Sequence, residues 1–83
     1  MKFLAEIDVM PLKEILDPQG KAVTGSMKNL GLTGISNVRI GKHITLEVVA
    51  ETEEGARQQV DEACKKLLAN LIMESYTFTL TEA

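Results

Sequence analysis

Near the N-terminus the hydrophobic pattern switches from a period of two to a helical period, and that switch constrains the fold more than any other feature. Phe3, Ala5, Ile7 and Val9 take one side of residues 2–10, with Lys2, Glu6 and Asp8 on the other. Such alternation predicts a half-buried strand. Leu4 and Met10 interrupt the polar side, so that face is expected to be partly covered too. From residue 18 the apolar positions fall at Ala22, Val23, Met27 and Leu30, which is the spacing of one helix face. The switch occurs at Leu16-Asp17-Pro18-Gln19-Gly20. Asp17 is placed to cap the helix by accepting from free N–H groups of its first turn. Pro18 follows at the first helical position, where its missing N–H costs nothing. Gly20 belongs to the same cap-and-turn stretch, and Gly31 supplies a stop. Gly25, in mid-helix, costs about 1 kcal/mol against alanine. It is either a tolerated defect or a point where the helix closely approaches a strand or another subunit.

Further along, Val38 and Ile40 predict a short strand, and Gly41-Lys42 a turn. Ile44, Leu46 and Val48 then alternate with Thr45 and Glu47, completing a hairpin. Thr52 can cap a second helix whose first turn carries Glu53 and Glu54, favourable at the positive end of its dipole. Ala56, Val60, Ala63, Cys64, Leu67 and Leu68 form its apolar stripe, and Asn70 is suited to a left-handed C-terminal cap. A last strand runs from Glu74 to Thr81, with Tyr76, Phe78 and Leu80 opposite Ser75, Thr77, Thr79 and Thr81. The order is β-α-β-β-α-β. It predicts an α+β, ferredoxin-like fold, a four-stranded antiparallel sheet with both helices on one face. No linker or repeat divides it, so residues 1–83 read as a single domain.

A chain of 83 residues is short enough that core burial and chain entropy nearly cancel, so an oligomer or a partner is expected. The net charge is −3, with the cations scattered. Nucleic acid and anionic membranes both call for concentrated positive charge, so neither is expected as a partner. No apolar run reaches membrane-spanning length, and the N-terminus lacks a signal-peptide core. A cytoplasmic location follows. The one cysteine, Cys64, falls on the second helix's apolar face. Its two readings are a small buried hydrophobe and, less naturally, a nucleophile.

The inventory for catalysis is poor. One histidine, His43, and one cysteine on different elements give no metal-ligand spacing and no nucleophile–base pair. No glycine-rich phosphate loop is present. Glu53-Glu54 and Asp61-Glu62 lie on a helix and read as solvated surface rather than acid–base machinery. His43 reads as an exposed strand-end residue. Catalytic residues, metal ligands and a cofactor bound by this chain are therefore not expected. The Arg39-Ile40-Gly41-Lys42 turn holds more promise. If Ile40 points to the core, Arg39 is exposed, and Arg39 with Lys42 could meet a partner's carboxylate or phosphate. Ordinary surface charge beside a turn is the alternative.

Several stretches carry a family resemblance: Leu16-Asp17-Pro18-Gln19-Gly20 with Ala22-Val23, Val38-Arg39-Ile40-Gly41-Lys42, Leu67-Leu68-Ala69-Asn70, and Met73-Glu74-Ser75-Tyr76. In this order and spacing the chain resembles the PurS subunits of phosphoribosylformylglycinamidine synthase. The resemblance covers nearly the whole chain. It departs at Leu12-Lys13, one residue out of register with a family pair, and at Leu71-Ile72, where the family often has Pro or Thr followed by Val. The resemblance implies a small subunit in purine biosynthesis with no active site of its own, forming a homo-oligomer, dimer or tetramer. That subunit would bridge a glutaminase subunit and a synthetase subunit, which uses ATP and magnesium, for ammonia transfer to formylglycinamide ribonucleotide. Asp17, Gln19, Arg39, Lys42 and Asn70 are then the expected partner-binding residues. Asp17, Pro18, Gly20 and Gly41 are the expected cap and turn residues. A ligand-sensing or regulatory ferredoxin-like oligomer is the rival reading.

Overall fold

The computed structural model describes residues 1–13 and 18–83. The predicted Asp17 cap lies outside the described residues. Three strands form one antiparallel sheet: β1 (Lys2–Pro11) in the centre, flanked by β2 (Lys42–Val49) and β3 (Glu74–Glu82). The helices are α1 (Pro18–Asn29) and α2 (Glu53–Ala63), the latter continued by a π-helical turn over Cys64–Leu68. Ile7 lies opposite Ile44 on one side and Phe78 on the other, so one face gathers the apolar positions of all three strands.

The alternation in β1 sets that register, since a slip by one residue would turn the apolar set to solvent. Phe3, Ala5, Ile7 and Val9 are all buried, at 3 % exposure or less. Ala56 and Val60 of α2, Cys64 of the π turn and the following Ala69 close over them. Fully burying side chains such as Ile7, Val9 and Val60 contributes about 1.5–3 kcal/mol each. Thr52 caps α2 as expected, its Oγ1 accepting from the Gly55 N–H at 3.0 Å. On the opposite face Leu4 and Met10 are half-buried, whereas Val49 is exposed.

Three expectations are corrected. Among the described residues the sheet has three strands, not four, and the order is β-α-β-α-β. The Val38–Ile40 strand does not form. Asn37 adopts a positive φ of 55°, the Val38 N–H donates to the Thr24 hydroxyl of α1, and the Arg39 guanidinium donates to the Pro11 carbonyl. These contacts hold the segment along α1 and against the end of β1, so no hairpin with β2 forms. Gly41 is accordingly not a hairpin turn. A Cβ there would lie 2.3 Å from both the Val9 carbonyl oxygen and the Met10 sulfur, so glycine is needed for close approach to β1.

The second helix also ends differently. Its π turn, closed by the Ala69 N–H donating to the Cys64 carbonyl, changes the phase of the stripe. Leu67, expected in the core, is 82 % exposed as a result. Asn70 is not left-handed, because Asn37 alone has positive φ among the described non-glycine residues.

The first helix departs furthest from the predicted packing. It ends in a Schellman-type cap: Gly31, at φ 81°, donates to the Lys28 carbonyl, and the Leu32 N–H to that of Met27. It scarcely touches the sheet or α2. With its return segment it forms an arm, and the Cα radius of gyration is 16.4 Å. A compact chain of this length has about 12 Å. Gly25 has nothing within 4 Å of a built Cβ, so close approach within this chain is not its role.

Candidate functional site

Strand direction brings the end of β1 and the starts of β2 and β3 to one end of the sheet. The start of α1 arrives at the same place. Pro11, Pro18, Gln19, Ile40, Gly41, Lys42 and Glu74 line a cleft there of about 350 Å³. Lys42 lies opposite Val9, and Glu74 opposite Pro11. Both therefore project from the core-side face, beyond the cover of α2. Gln19 and Lys42, expected on separate elements, are thus brought together.

Arg39 sits beside this cleft with its guanidinium bonded to the Pro11 carbonyl. That contact anchors the return segment to β1. Lys42 has no ion pair among the described residues, so the two cations of the predicted pair have different tasks. Pro18 is the first residue of α1, and Gly20 is buried within it.

Asn70 organises the adjoining turn. Its Oδ1 accepts from the Ile72 N–H at 3.1 Å, and its carbonyl accepts from Met73 and Glu74 at 2.9 and 2.7 Å. Glu74 in turn accepts from the Asn70 N–H at 2.8 Å, while the Leu12 N–H donates to the Met73 carbonyl. The turn is held on both sides, yet Leu71, Ile72 and Met73 are exposed. Asn70 shapes this end of the sheet without lining the cleft. Pro11 and Glu74 also line the cleft, though neither was among the expected site residues. Glu74 had a legible signal, a charged residue in phase with Tyr76, Phe78 and Leu80.

A second polar group lies on the outer face of the sheet. His43 Nδ1 lies 2.6 Å from Asp8 Oδ1, and Nε2 lies 3.7 Å from Glu6 Oε1. The hydrogen bond to Asp8 raises the His43 pKa above 6.5, with help from the charges of Asp8 and Glu6. On the inner side Tyr76 donates to Asp61, which also pairs with Lys65 at 3.0 Å. Tyr76 is pushed up to about 12, mainly by that hydrogen bond. Burial is the main force pushing the Cys64 thiol up, away from the reactive thiolate. Cys64 is a core residue.

No helix among the described residues is long and apolar enough to cross a membrane. The family model for PurS, phosphoribosylformylglycinamidine (FGAM) synthase, matches residues 4–82. A phosphoribosylformylglycinamidine synthase subunit PurS from Synechocystis is 48 % identical over 67 residues, covering 81 % of this chain and 67 % of the relative. The Mycobacterium leprae subunit of the same name is 43 % identical, covering 90 % and 91 %. Among solved structures, PurLQS from Thermotoga maritima contains a chain 32 % identical with a TM-score of 0.89, covering 98 % of this chain and 99 % of that one.

Proposed function

Since this chain belongs to the PurS family of phosphoribosylformylglycinamidine synthase subunits in purine biosynthesis, we propose that it works as a bridging subunit without an active site. It joins a glutaminase subunit to an ATP-dependent synthetase subunit, so that ammonia reaches formylglycinamide ribonucleotide within one assembly. The observation that carries this reading is the match, over nearly the full length of both chains, to a subunit of a solved PurLQS complex. Holding the ammonia source near the activated substrate replaces a bimolecular capture with a local one. ATP and magnesium are used by the larger subunit, and this chain binds no cofactor. Its place is the cytoplasm, as a single domain.

The end of the sheet suits a partner contact. Lys42 and Gln19 supply donors, and the turn pinned by Asn70 presents apolar side chains without further ordering cost. Arg39 supports the site from behind. The extended arm also supports a homo-oligomer. Ile44, Leu46, Tyr76, Phe78 and Leu80 on the inner sheet face are only partly buried, and α1 does not cover them. A second copy is the natural source of cover.

The test mixes the glutaminase and synthetase subunits with and without this chain and follows glutamine-dependent product. Product should require all three, and the isolated chain should hydrolyse neither glutamine nor ATP. Full activity without it refutes the bridging role. The rival reading, a ligand-sensing module, draws on the cleft beside Gln19, Lys42 and Glu74. Calorimetric titration of the isolated chain with small metabolites, giving saturable binding lost in Lys42→Ala, would favour it.

A further inference from the structure

β3 ends the sheet, so one of its long edges has no neighbouring strand among the described residues. Its backbone groups alternate between the two edges. The Ala83 N–H donates to the Lys2 carbonyl, and the Leu12 N–H to the Met73 carbonyl, each at 2.9 Å. In an antiparallel pair such bonded residues recur at every second position. The register then makes Thr81, Thr79, Thr77 and Ser75 the residues bonded to Leu4, Glu6, Asp8 and Met10. Tyr76, Phe78 and Leu80 therefore direct their N–H and C=O groups to the outer edge. No backbone hydrogen bond from another element reaches these groups among the described residues. Natural sheets guard such an edge with charge, proline or a bulge. Residues 75–81 carry no charge, proline or glycine, and their pairing with β1 runs without a skipped residue. The other edge strand, β2, carries Lys42, His43 and Glu47. Side-chain cover is short as well. Tyr76, Phe78 and Leu80 are half-buried, whereas Phe3, Ala5, Ile7 and Val9 of β1 are buried.

We propose that this edge pairs with β3 of a second copy, antiparallel, about a two-fold axis at Phe78. Phe78 then faces Phe78 of the second copy, and Tyr76 faces Leu80 of the second copy. These residues exchange the outward N–H and C=O groups. On the outer side of the sheet Thr77 faces Thr79 of the second copy, and Ser75 faces its Thr81. A two-fold contact needs a self-complementary edge, and charge decides where its centre lies. With the axis at Phe78 all of residues 75–81 pair. Glu74 and Glu82 meet only at the ends of the paired segment, where Glu74 is already turned to the Asn70 N–H. Moving the axis to Thr77 would set Glu74 against Leu80 of the second copy. Moving it to Thr79 would set Glu82 against Tyr76 of the second copy. The central Phe78 pair and the threonine pairs add cross-strand contact to the hydrogen bonds. The proposal rests on the homo-oligomer reading and assigns one contact within it, separate from cover of the inner sheet face.

The experiment uses the full-length chain and reads amide hydrogen exchange by NMR, residue by residue. Wild type is compared with Thr77→Lys/Thr79→Lys, whose substituted positions face each other in the paired register, where like charges repel. Both positions are exposed, so the circular dichroism spectrum should be unchanged. In concentrated wild type the Tyr76, Phe78 and Leu80 amides should exchange at least about tenfold more slowly than in the variant, as for groups that gain a bonded partner. The variant should also sediment as a smaller species. A second measurement tests the register. Thr77→Cys and Thr79→Cys chains are made separately and oxidised together. The mixture should cross-link at least about tenfold faster than either chain alone, because like positions are diagonal neighbours, too far apart for a disulfide. Cys64 is buried and does not compete. Equal exchange in wild type and variant, with self-association intact, overturns the edge pairing and leaves the homo-oligomer standing. So does slowed exchange at His43, Thr45 and Glu47 instead, which places the contact on the β2 edge. Slowed exchange at β3 without the mixed cross-link overturns the register, and with it the proposal. Monomer at every concentration defeats the homo-oligomer reading together with the edge pairing.

Discussion

At the scale of single residues, two side-chain environments give predictions with a definite sign. His43 is held by Asp8 and Glu6, and its pKa in the folded protein is raised above 6.5. The charged form is therefore favoured by folding. That contribution is fully present below the unfolded value near 6.5 and is lost as pH rises through the higher folded value. A proton-NMR titration of His43 should show a midpoint above 6.5, and Asp8→Asn should lower it. An unchanged midpoint in that variant would dissociate the shift from the contact. Gly41 is a steric case. Alanine there meets a backbone oxygen, which cannot rotate away as a side chain can. Gly41→Ala should cost about 1–3 kcal/mol, as overpacking does, seen as a lower urea midpoint with little change in slope. The sequence singled out Gly41 correctly and assigned it the wrong task. A glycine before a strand fits a turn and a close approach equally well, and the choice depends on the distant Val9 and Met10.

At the scale of elements, β3 and α2 are tied by the Tyr76–Asp61 contact, with Lys65 on the far carboxylate oxygen. Absorbance titration of Tyr76 should show ionisation near 12, and Asp61→Asn should bring it down. The folded pKa is above the ordinary 10, so this contribution to stability is present below pH 10 and is lost as pH climbs through about 12. Tyr76→Phe should lower the thermal midpoint at neutral pH and flatten its decline in alkali. Both elements were legible in advance, from the cap at Thr52 and the alternation of Tyr76, Phe78 and Leu80. Their contact was not, because Asp61 reads as an ordinary solvated helix carboxylate until β3 is placed beside it. The π turn was equally hidden. Cys64, Leu67 and Leu68 continue an α-helical stripe perfectly well on paper, and only the packing around Cys64 and Ala69 shows where the phase changes.

At the scale of the whole molecule, the dominant fact is a first helix that does not pack on its own sheet. A chain with half-buried Phe78 and Leu80 and an unpacked α1 should gain stability when a second copy covers that surface. Its thermal midpoint should therefore rise with protein concentration, as mass action requires of any association restricted to the folded state. Sedimentation equilibrium over the same range should show the matching shift from smaller to larger species. A concentration-independent midpoint with monomer throughout would count against a homo-oligomer.

The amino-acid sequence alone determined the elements governed by near neighbours: β1, the body of α2 with its Thr52 cap, β3, and the end of α1 at Gly31. Periodicity and capping are local, so they can be read without knowing what lies across the fold. It also carried the family resemblance, and it placed Gln19, Lys42 and Asn70 among the residues to watch. Tertiary structure decided the rest. Val38–Ile40 has strand-like side chains, yet the Val38 N–H goes to Thr24 and the Arg39 guanidinium to the Pro11 carbonyl, so the segment runs beside α1 and the described sheet has three strands. The position of α1 depends on which apolar surface is available to it, and an amphipathic pattern does not say whether that surface belongs to the same chain.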